Sequence, residues 1–250
     1  MDLITTQNLT RRFDGLVAVN QVNFNLKKGQ FIGIIGPNGS GKTTLFNLLS
    51  GFLPPSEGKI TFDSKDITKI PAYKRVEMGM ARTFQLVSVF DSLTVWENLV
   101  LSTIKLKGQH QTIHKFFLES AHKKTIVDGC LKSLEMVGLI EKAYAFTSEL
   151  SYGEKRMLEI AISLSLEPRV LLLDEPLSGL SDYEIGEVLD LIHLVKESFA
   201  LVIIEHKISR LVGLVEKLYV MNEGRILCEG DPEQVLHDPA VRECYWGKEK

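Results

Sequence analysis

Residues 36–43 read Gly-Pro-Asn-Gly-Ser-Gly-Lys-Thr, and this segment constrains the fold more than any other feature of the 250-residue chain. It follows a continuous apolar run, Phe31 to Ile35, which is typical of a strand buried on both faces. It precedes a helical pattern that runs from Leu45 and stops at Gly51. A glycine-rich turn between a buried strand and a helix N-terminus directs backbone N–H groups at phosphate. The sequence therefore predicts a phosphate-binding loop on a parallel sheet.

Two side chains of this loop have predicted chemical roles. Lys42 is expected to reach the β- and γ-phosphates of a nucleotide, and the hydroxyl of Thr43 is expected to bind Mg²⁺. The residues expected to bind the nucleotide are Gly36, Pro37, Asn38, Gly39, Ser40, Gly41, Lys42, Thr43 and Thr44. A phosphate-binding loop alone does not distinguish a kinase from a GTPase or a motor protein, so other motifs have to decide.

Two adjacent carboxylates follow the apolar run Val170 to Leu173. An acid at the carboxyl end of a parallel strand lies where ligands bind in such sheets, so Asp174 is predicted to hold Mg²⁺, usually through water. Glu175 can polarise a water molecule for in-line attack on the γ-phosphoryl group. A solvated pair of acids at a strand end is the alternative, and the phosphate-binding loop upstream disfavours it.

The remaining periodicity predicts an α/β fold. Asn20 to Leu26 and Gly58 to Phe62 alternate apolar and polar residues, as antiparallel strands do. The buried runs Val170 to Leu173 and Leu201 to Ile204 flank a helical pattern and predict a β-α-β unit. Residues 92–165 show helical patterns without a strand. We expect a P-loop NTPase (RecA-like) core with an antiparallel β subdomain and an inserted α-helical subdomain.

Charge and composition exclude several classes of protein. The net charge of -3 argues against bulk nucleic-acid binding, and three widely spaced cysteines do not predict a disulfide framework. No apolar run approaches the roughly 20 residues of a membrane-spanning helix, so any membrane role is expected to be peripheral. His110, His114 and His122 lack cysteine or carboxylate at ligand spacing and are predicted to be surface residues rather than a metal site.

A third motif identifies a family. Residues 150–154 read Leu-Ser-Tyr-Gly-Glu, in which Ser151 and Glu154 form a capping box before an amphipathic helix. Alone, this pattern predicts an ordinary capped helix. Together with the phosphate-binding loop and the Asp174-Glu175 pair, it resembles the signature motif of the ATP-binding-cassette (ABC) family. The resemblance extends over essentially the whole chain and implies the ABC ATPase architecture.

The resemblance also implies roles for other residues. Phe13 matches the aromatic residue that stacks on adenine, and His206 matches the switch histidine. Gln85 matches the glutamine that contacts Mg²⁺ and the attacking water. Ser151 and Gly153 match the residues that approach the γ-phosphate. The implied catalytic residues are Glu175, His206, Lys42 and Gln85, and the implied metal ligands are Thr43, Gln85 and Asp174.

The chain departs from the family pattern in two places. The most common signature is LSGGQ, whereas this chain has Tyr152 and Glu154 at its third and fifth positions. The loop after Glu175 has Ser181 where the family usually has aspartate. The first difference affects the polar contact that Glu154 makes. The second affects the contacts that the loop after Glu175 makes with a partner.

We expect residues 1–250 to form one ABC ATPase domain. Residues 1–85 and 166–250 are predicted to form the α/β core with its antiparallel β part, and residues 86–165 the helical subdomain with the signature. Members of the family dimerise head to tail and sandwich two ATP molecules, so the resemblance implies a homodimer or a heterodimer with a second cassette.

A cassette without a predicted membrane span implies separate permease subunits. It also implies a cytoplasmic location, peripheral on the inner face of the cell membrane, and indirectly a periplasmic or extracellular solute-binding protein. No nucleic-acid partner is expected. The apolar residues that follow Gln85 fit either a docking groove for a permease helix or the core of the helical subdomain; they are Leu86, Val87, Val89 and Phe90.

Five segments resemble one subgroup of the family. Residues 82–85, 93–98, 151–153, 204–206 and 239–247 are similar to the importer ATPases for branched-chain or other hydrophobic amino acids. The ATPases of urea importers and of the lipopolysaccharide exporter are the alternatives. A non-transport ABC ATPase is disfavoured. DNA-repair and chromosome-structure cassettes insert a long coiled coil before the signature, whereas the segment between Gln85 and Ser151 of this chain is short.

Overall fold

The computed structural model describes residues 1–106, 124–196, 198–206 and 208–246. The chain divides into two compact units. The first comprises Met1–Arg82, Arg169–Leu177 and His193–Lys250, and the second comprises Thr83–Pro168 and Ser178–Ile192. The predicted limits of the two parts, residues 1–85 and 166–250 for the core and residues 86–165 for the helical subdomain, remain a prediction.

The described elements follow one another along the chain as strands and helices. The strands are β1 (Asp2–Phe13), β2 (Leu16–Val22), β3 (Asn25–Lys27), β4 (Phe31–Ile35), β5 (Glu57–Phe62), β6 (Lys65–Asp66), β7 (Met80–Arg82), β8 (Val170–Asp174), β9 (Ala200–Ile204), β10 (Lys217–Asn222) and β11 (Arg225–Gly230). The helices are α1 (Lys42–Ser50), α2 (Ala72–Glu77), α3 (Val95–Leu106), α4 (Lys124–Met136), α5 (Tyr152–Ser165), α6 (Asp182–Leu194), α7 (Ile208–Leu211), α8 (Pro232–Leu236) and α9 (Pro239–Trp246).

The main sheet of the first unit has six strands in the order β11-β10-β4-β9-β8-β7. The pairs β10-β4, β4-β9, β9-β8 and β8-β7 are parallel, and β11 is an antiparallel edge strand. Every residue of β4, β8 and β9 is buried, as their continuous apolar sequences predict. The predicted parallel core and the β-α-β unit are therefore confirmed.

A second sheet of the first unit is antiparallel, as predicted. Its order is β2-β1-β5-β6, and β3 also pairs with β1. The expected single strand from Asn20 to Leu26 is wrong, because β2 ends at Val22 and β3 begins at Asn25. The Thr6 hydroxyl interrupts the ladder: it accepts from the Phe24 N–H at 2.9 Å and donates to the Val22 carbonyl at 2.9 Å.

A buried arginine closes the C-terminal end of α1. The Arg75 side chain donates to the carbonyls of Leu48 at 2.8 Å and Leu49 at 2.6 Å. It also donates to the carbonyls of Ile70 at 2.8 Å and Ile67 at 2.7 Å. The last carbonyls of a helix lack partners within the helix, and a cation at this end is favoured by the helix dipole. Arg75 thus satisfies the end of the helix that follows the phosphate-binding loop.

The second unit is helical in the part that the structure describes, with one isolated β-bridge between Thr94 and Phe146. The predicted capping box at residues 151–154 is formed. Equivalent boxes are formed at residues 94–97 and 181–184. Residues 107–123 of the segment that is predicted to be helical lie outside the described residues, and so do the three histidines at 110, 114 and 122. Among the described helices none is long and apolar enough to span a membrane.

Candidate functional site

Three neighbouring parallel strands end at the same edge of the main sheet, and each is followed by predicted site residues. The phosphate-binding loop follows β4, Asp174 ends β8, and Glu205 and His206 follow β9. Because β9 lies between β4 and β8, with Ile204 in register with Ile34 and Asp174, the three ends converge. This edge is where open parallel sheets bind ligands.

The phosphate-binding loop has the backbone that its glycines predict. Gly36 has a φ of 153° and Gly41 a φ of 102°. A methyl group on Gly36 would lie 2.2 Å from the Met221 carbonyl oxygen, and one on Gly41 would lie 2.3 Å from the Ala18 carbonyl oxygen. Both positions therefore require glycine for space as well as for backbone conformation.

Several polar groups of the loop can receive an anion. The buried hydroxyl of Ser40 has no hydrogen-bond partner among the described residues, and native proteins seldom leave such a group unsatisfied. Lys42 donates to the carbonyls of Gly36 at 2.7 Å and Pro37 at 3.0 Å. Asn38 and Thr43 are exposed. The loop fits a phosphate group, which would supply acceptors for these donors.

Lys42 lies within electrostatic range of both carboxylates. Burial lowers the pKa of Lys42, and the charges of Glu175 and Asp174 oppose that shift. One ammonium group and two carboxylates therefore share the same site.

Arg82 is a partner of Asp174 that sequence reasoning missed. Its guanidinium donates to Asp174 at 2.8 Å, to Asn47 at 2.7 Å and to Ser50 at 2.9 Å. Burial raises the pKa of Asp174, while the hydrogen bond and charge of Arg82 lower it. Arg82 ends a three-residue strand with no periodic signal, so the pairing depends on tertiary structure alone.

Glu175 and His206 contact each other directly. The His206 Nε2 atom lies 2.8 Å from Glu175 Oε1. Glu175 has a φ of 50°, in the left-handed region that is uncommon for residues other than glycine, and its N–H donates to the Ile204 carbonyl at 2.9 Å. The neighbouring carboxylate of Glu205 accepts from the backbone N–H groups of Leu177 at 2.7 Å and His206 at 3.2 Å. Glu205, which sequence reasoning also missed, therefore holds the backbone after Glu175 and the backbone at His206.

Phe13 ends β1 and is partly exposed at the tip of the β1-β2 hairpin. It pairs with Leu16 across the hairpin, and the Arg11 guanidinium lies 4.7 Å from the centre of its ring. The following residues of β2 pass beside the phosphate-binding loop, as the Ala18 carbonyl shows. A partly exposed aromatic ring of this kind can stack on another flat ring.

The other predicted site residues belong to the second unit. Ser151 is the N-cap of α5 and is exposed. Gly153 is buried, and a methyl group there would lie 2.1 Å from the Glu184 carboxylate. Gln85 is exposed, and its backbone carbonyl accepts from Arg156 at 2.8 Å.

Glu154, which replaces the usual glutamine, has defined contacts in this structure. Its carboxylate accepts from the Ser151 N–H at 2.9 Å and pairs with the Lys142 ammonium group. The hydrogen bond from Lys142, with smaller contributions from Ser151, holds the pKa of Glu154 below its usual range. The carboxylate therefore serves the helix cap.

The apolar segment after Gln85 is not a core segment at its most apolar positions. Leu86 is 80% exposed and Phe90 is 59% exposed, whereas Val87 and Val89 are partly buried. The alternative in which these residues pack in the helical core is wrong for Leu86 and Phe90. An exposed apolar segment of this kind is typical of an interaction site.

Comparison with known proteins places these features in a family. The family model described as "ABC transporter" matches residues 19–178. The chain belongs to the ABC transporter family. It is therefore an ATP-binding cassette with ATPase activity, and its fold is the one that the motifs predict. A second model, described as "Branched-chain amino acid ATP-binding cassette transporter", matches residues 225–249.

The similarity to individual proteins extends along the whole chain. The high-affinity branched-chain amino acid transport ATP-binding protein LivG of Salmonella typhimurium is 37% identical over 98% of both chains. The corresponding protein BraF of Pseudomonas aeruginosa is 35% identical over 98% of both chains. The crystal structure of the ADP conformation of an ATP-binding cassette of an ABC transporter is 30% identical, covers 99% of this chain and 100% of that one, and has a TM-score of 0.86.

Proposed function

We propose that this ABC ATPase powers the import of branched-chain or other hydrophobic amino acids through separate permease subunits. Its similarity over 98% of the chain to proteins named for branched-chain amino acid transport carries this proposal. The match of residues 225–249 to a model named for the same transporters supports it. The urea-importer and lipopolysaccharide-exporter ATPases are the alternatives that the transport experiment described below distinguishes.

In this proposal the loop from Gly36 to Thr44 binds the phosphates of ATP and Phe13 stacks on the adenine. Lys42 exchanges the two loop carbonyls that it now contacts for the β- and γ-phosphates. The buried Ser40 hydroxyl gains an acceptor. Lys42 would exchange neutral carbonyl acceptors for anionic phosphate oxygens, and Ser40 would gain an anionic acceptor where it now has none among the described residues. Both changes favour phosphate binding, because hydrogen bonds to charged acceptors are stronger.

Mg²⁺ fits the oxygen donors that the site offers. Thr43 and Asp174 would hold it together with Gln85, and carboxylate, hydroxyl and amide oxygens are hard ligands that suit this cation. The ion would neutralise phosphate charge. Arg82 would orient the carboxylate of Asp174 through the 2.8 Å hydrogen bond.

Glu175 and His206 are the proposed hydrolytic pair. The carboxylate of Glu175 accepts the proton of the attacking water, and His206, at 2.8 Å from it, orients the carboxylate and contacts the γ-phosphate. Glu205 keeps His206 in place through the backbone hydrogen bond at 3.2 Å. Hydrolysis removes the contacts to the γ-phosphate. The closed, ATP-bound form of the cassette pair then loses the interactions that favoured it.

The second half of each nucleotide site is proposed to come from another cassette. Ser151 and Gly153 of one subunit would contact the γ-phosphate held by Lys42 of its partner, in a head-to-tail homodimer or heterodimer. The exposed Leu86 and Phe90 would dock on a permease helix at the inner face of the membrane. A solute-binding protein would take part indirectly, outside the membrane.

Replacing Lys42 with alanine tests the phosphate-binding role. Loss of the ammonium group leaves the γ-phosphate without its charged partner, and we expect the dissociation constant for ATP to rise about 30- to 100-fold, which corresponds to the ~2–3 kcal/mol of a charge-assisted bond. Isothermal titration with ATP measures it. Lys28→Ala, at an exposed surface pair with Asp63, is the control. Unchanged ATP affinity in the Lys42 variant would contradict the assignment.

Transport itself is tested in cells of the source organism. Replacing the chromosomal copy with the Lys42→Ala variant is expected to lower uptake of radiolabelled leucine at least about tenfold, because permease cycling needs ATP binding and hydrolysis. Urea uptake and lipopolysaccharide export are measured in the same strain and are expected to be unchanged. Loss of either of these with leucine uptake intact would reject amino acid import in favour of that alternative.

A further inference from the structure

A fully buried arginine on α5 holds the segment that carries Gln85. Arg156 is 0% exposed, and its guanidinium donates to the carbonyls of Phe84 at 2.9 Å and Gln85 at 2.8 Å. It also donates to Glu159 at 2.7 Å and to the Tyr152 hydroxyl at 3.3 Å. The planar guanidinium has several donors in fixed directions. Its bonds to two successive carbonyls therefore define the path of the backbone at Gln85.

Glu159 holds the same segment through its N–H groups. The Glu159 carboxylate accepts from the Phe84 N–H at 3.1 Å, and the backbone N–H of Ser88 also donates to it. The side chain is nearly as buried as that of Arg156. Arg156 thus donates to the carbonyls of one short segment, and Glu159 accepts from the N–H groups of the same segment. We call the two residues the clamp.

The clamp lies on the helix that begins at the signature. Ser151 caps α5, and the cap fixes the first turn, which contains Gly153. Tyr152, which departs from the family pattern, extends the contacts: its hydroxyl accepts from Arg156, and a methyl group on Gly179 would lie 3.1 Å from its ring. One set of direct contacts therefore joins the segment after β7, the signature turn and the loop before α6.

We propose that Arg156 and Glu159 are positioning residues that make segment 84–88 and signature turn 151–153 move as one body. This inference rests on the proposed function, because it takes Ser151 to bind the partner's ATP and segment 84–88 to contact the permease. A displacement imposed at Leu86 is delivered through the clamp to the N-terminus of α5. Packed and hydrogen-bonded elements with few alternative arrangements carry such displacements.

A neighbouring ion pair shows why the buried clamp, rather than a charge pair at the surface, couples segment 84–88 to the signature turn. Lys155 pairs with Asp91 at 2.6 Å, also between α5 and the chain that follows Gln85, but the Asp91 side chain is 64% exposed. Exposed pairs are screened by solvent and contribute about 0–1 kcal/mol. Removing one partner of a buried pair leaves an uncompensated charge. Lys155 is therefore a matched control on the same helix.

The test compares Arg156→Lys, Glu159→Gln and the control Lys155→Met in the full-length chain. Lysine keeps the charge of Arg156 but loses the forked donors, and glutamine keeps the shape of Glu159 but loses its charge. Hydrogen exchange of the backbone amides reports on segment 84–88 and on residues 151–154. The turnover number, the dissociation constant for ATP and the melting temperature are measured on the same samples.

We expect both clamp variants to exchange at least about tenfold faster at segment 84–88 and at residues 151–154, because local opening needs less free energy. We expect kcat to fall about tenfold, while ATP affinity changes less than about twofold, since the phosphate-binding loop is untouched. A variant that carries both clamp substitutions is expected to lose little more kcat than either single variant, because residues that act as a unit have non-additive effects. Lys155→Met is expected to match the wild type in all four measurements.

The proposal is overturned if exchange rises at segment 84–88 alone, or if the folded clamp variants keep the wild-type kcat and lose only melting temperature. It is also overturned if Lys155→Met behaves like the clamp variants. If Arg156→Lys does not fold, the near-isosteric Glu159→Gln variant decides the question by the same criteria. A wild-type chain without ATPase activity would reject the proposed function instead, and the exchange data would still decide whether the two segments are coupled.

Discussion

Glu175→Gln is expected to slow ATP hydrolysis severely while leaving ATP binding intact. The amide has nearly the size of the carboxylate and keeps a contact with His206, 2.8 Å away, but it cannot accept the proton of the attacking water. General-base catalysis contributes about 10²–10⁴-fold, so we expect kcat to fall by that factor. Phosphate release in single-turnover experiments measures the loss.

The same variant is expected to accumulate an ATP-bound dimer. In the proposed head-to-tail dimer, each ATP would remain bound between Lys42 of one subunit and Ser151 of the other, because the γ-phosphate that joins them is not removed. Size-exclusion chromatography with light scattering, at micromolar protein with ATP and Mg²⁺, detects the dimer. A variant that remains monomeric there would contradict the head-to-tail sandwich for the isolated subunit.

A control separates chemistry from backbone conformation. Glu167 shares the φ of Glu175, 50°, but it is exposed in the loop before β8. Glu167→Gln is expected to hydrolyse ATP at the wild-type rate, since Glu167 is exposed and belongs to none of the predicted site motifs. If this variant lost activity as Glu175→Gln does, the loss could not be attributed to a general base.

Arg75→Met is expected to cause a large loss of stability in the first unit. Methionine matches the aliphatic stem of arginine but donates to none of the carbonyls that Arg75 now satisfies, two of which end α1. Unsatisfied buried carbonyls cost about 1–3 kcal/mol each before relaxation. We expect the free energy of unfolding to fall by about 3–5 kcal/mol, and the melting temperature by roughly 10 °C. Differential scanning fluorimetry measures the shift.

The burial of Arg75 supports this expectation. Burial lowers the pKa of Arg75 to about 10, so the guanidinium is charged at neutral pH and its desolvation is offset by the carbonyl dipoles. Arg12→Met is the matched control, because Arg12 forms an exposed pair with Glu57 that is expected to contribute less than about 1 kcal/mol. Equal melting temperatures for the two variants would show that Arg75 is not the stabilising residue we infer.

The parts of the fold that could be predicted are those that local physics specifies. Strands buried on both faces need uninterrupted apolar sequence, so β4, β8 and β9 were recognisable. Helix starts need side-chain acceptors, so the capping box at Ser151 was recognisable as well. The break between β2 and β3 was not, because it depends on the hydroxyl of Thr6, which is distant in the sequence.

The candidate site shows the same division. Lys42, Asp174 and Glu175 were predicted because phosphate and metal chemistry requires particular residue types next to a strand end. Arg82 and Glu205 were not predicted, because an arginine or a glutamate in a sequence carries no sign of whether it will be buried against a carboxylate or a backbone N–H group. Their roles appeared once the neighbouring strands of the main sheet were known.

By itself, the sequence determined the family and the phosphate-binding loop, and it supplied the residues that we propose contact the nucleotide. Those features are local motifs whose chemistry tolerates few alternatives. The tertiary structure alone decided which buried charges support them: Arg82 on Asp174, Arg75 on the end of α1, and Arg156 with Glu159 on the segment that carries Gln85. Each of these pairings joins residues or carbonyls that become neighbours only when strands and helices pack, and burial then makes them strong.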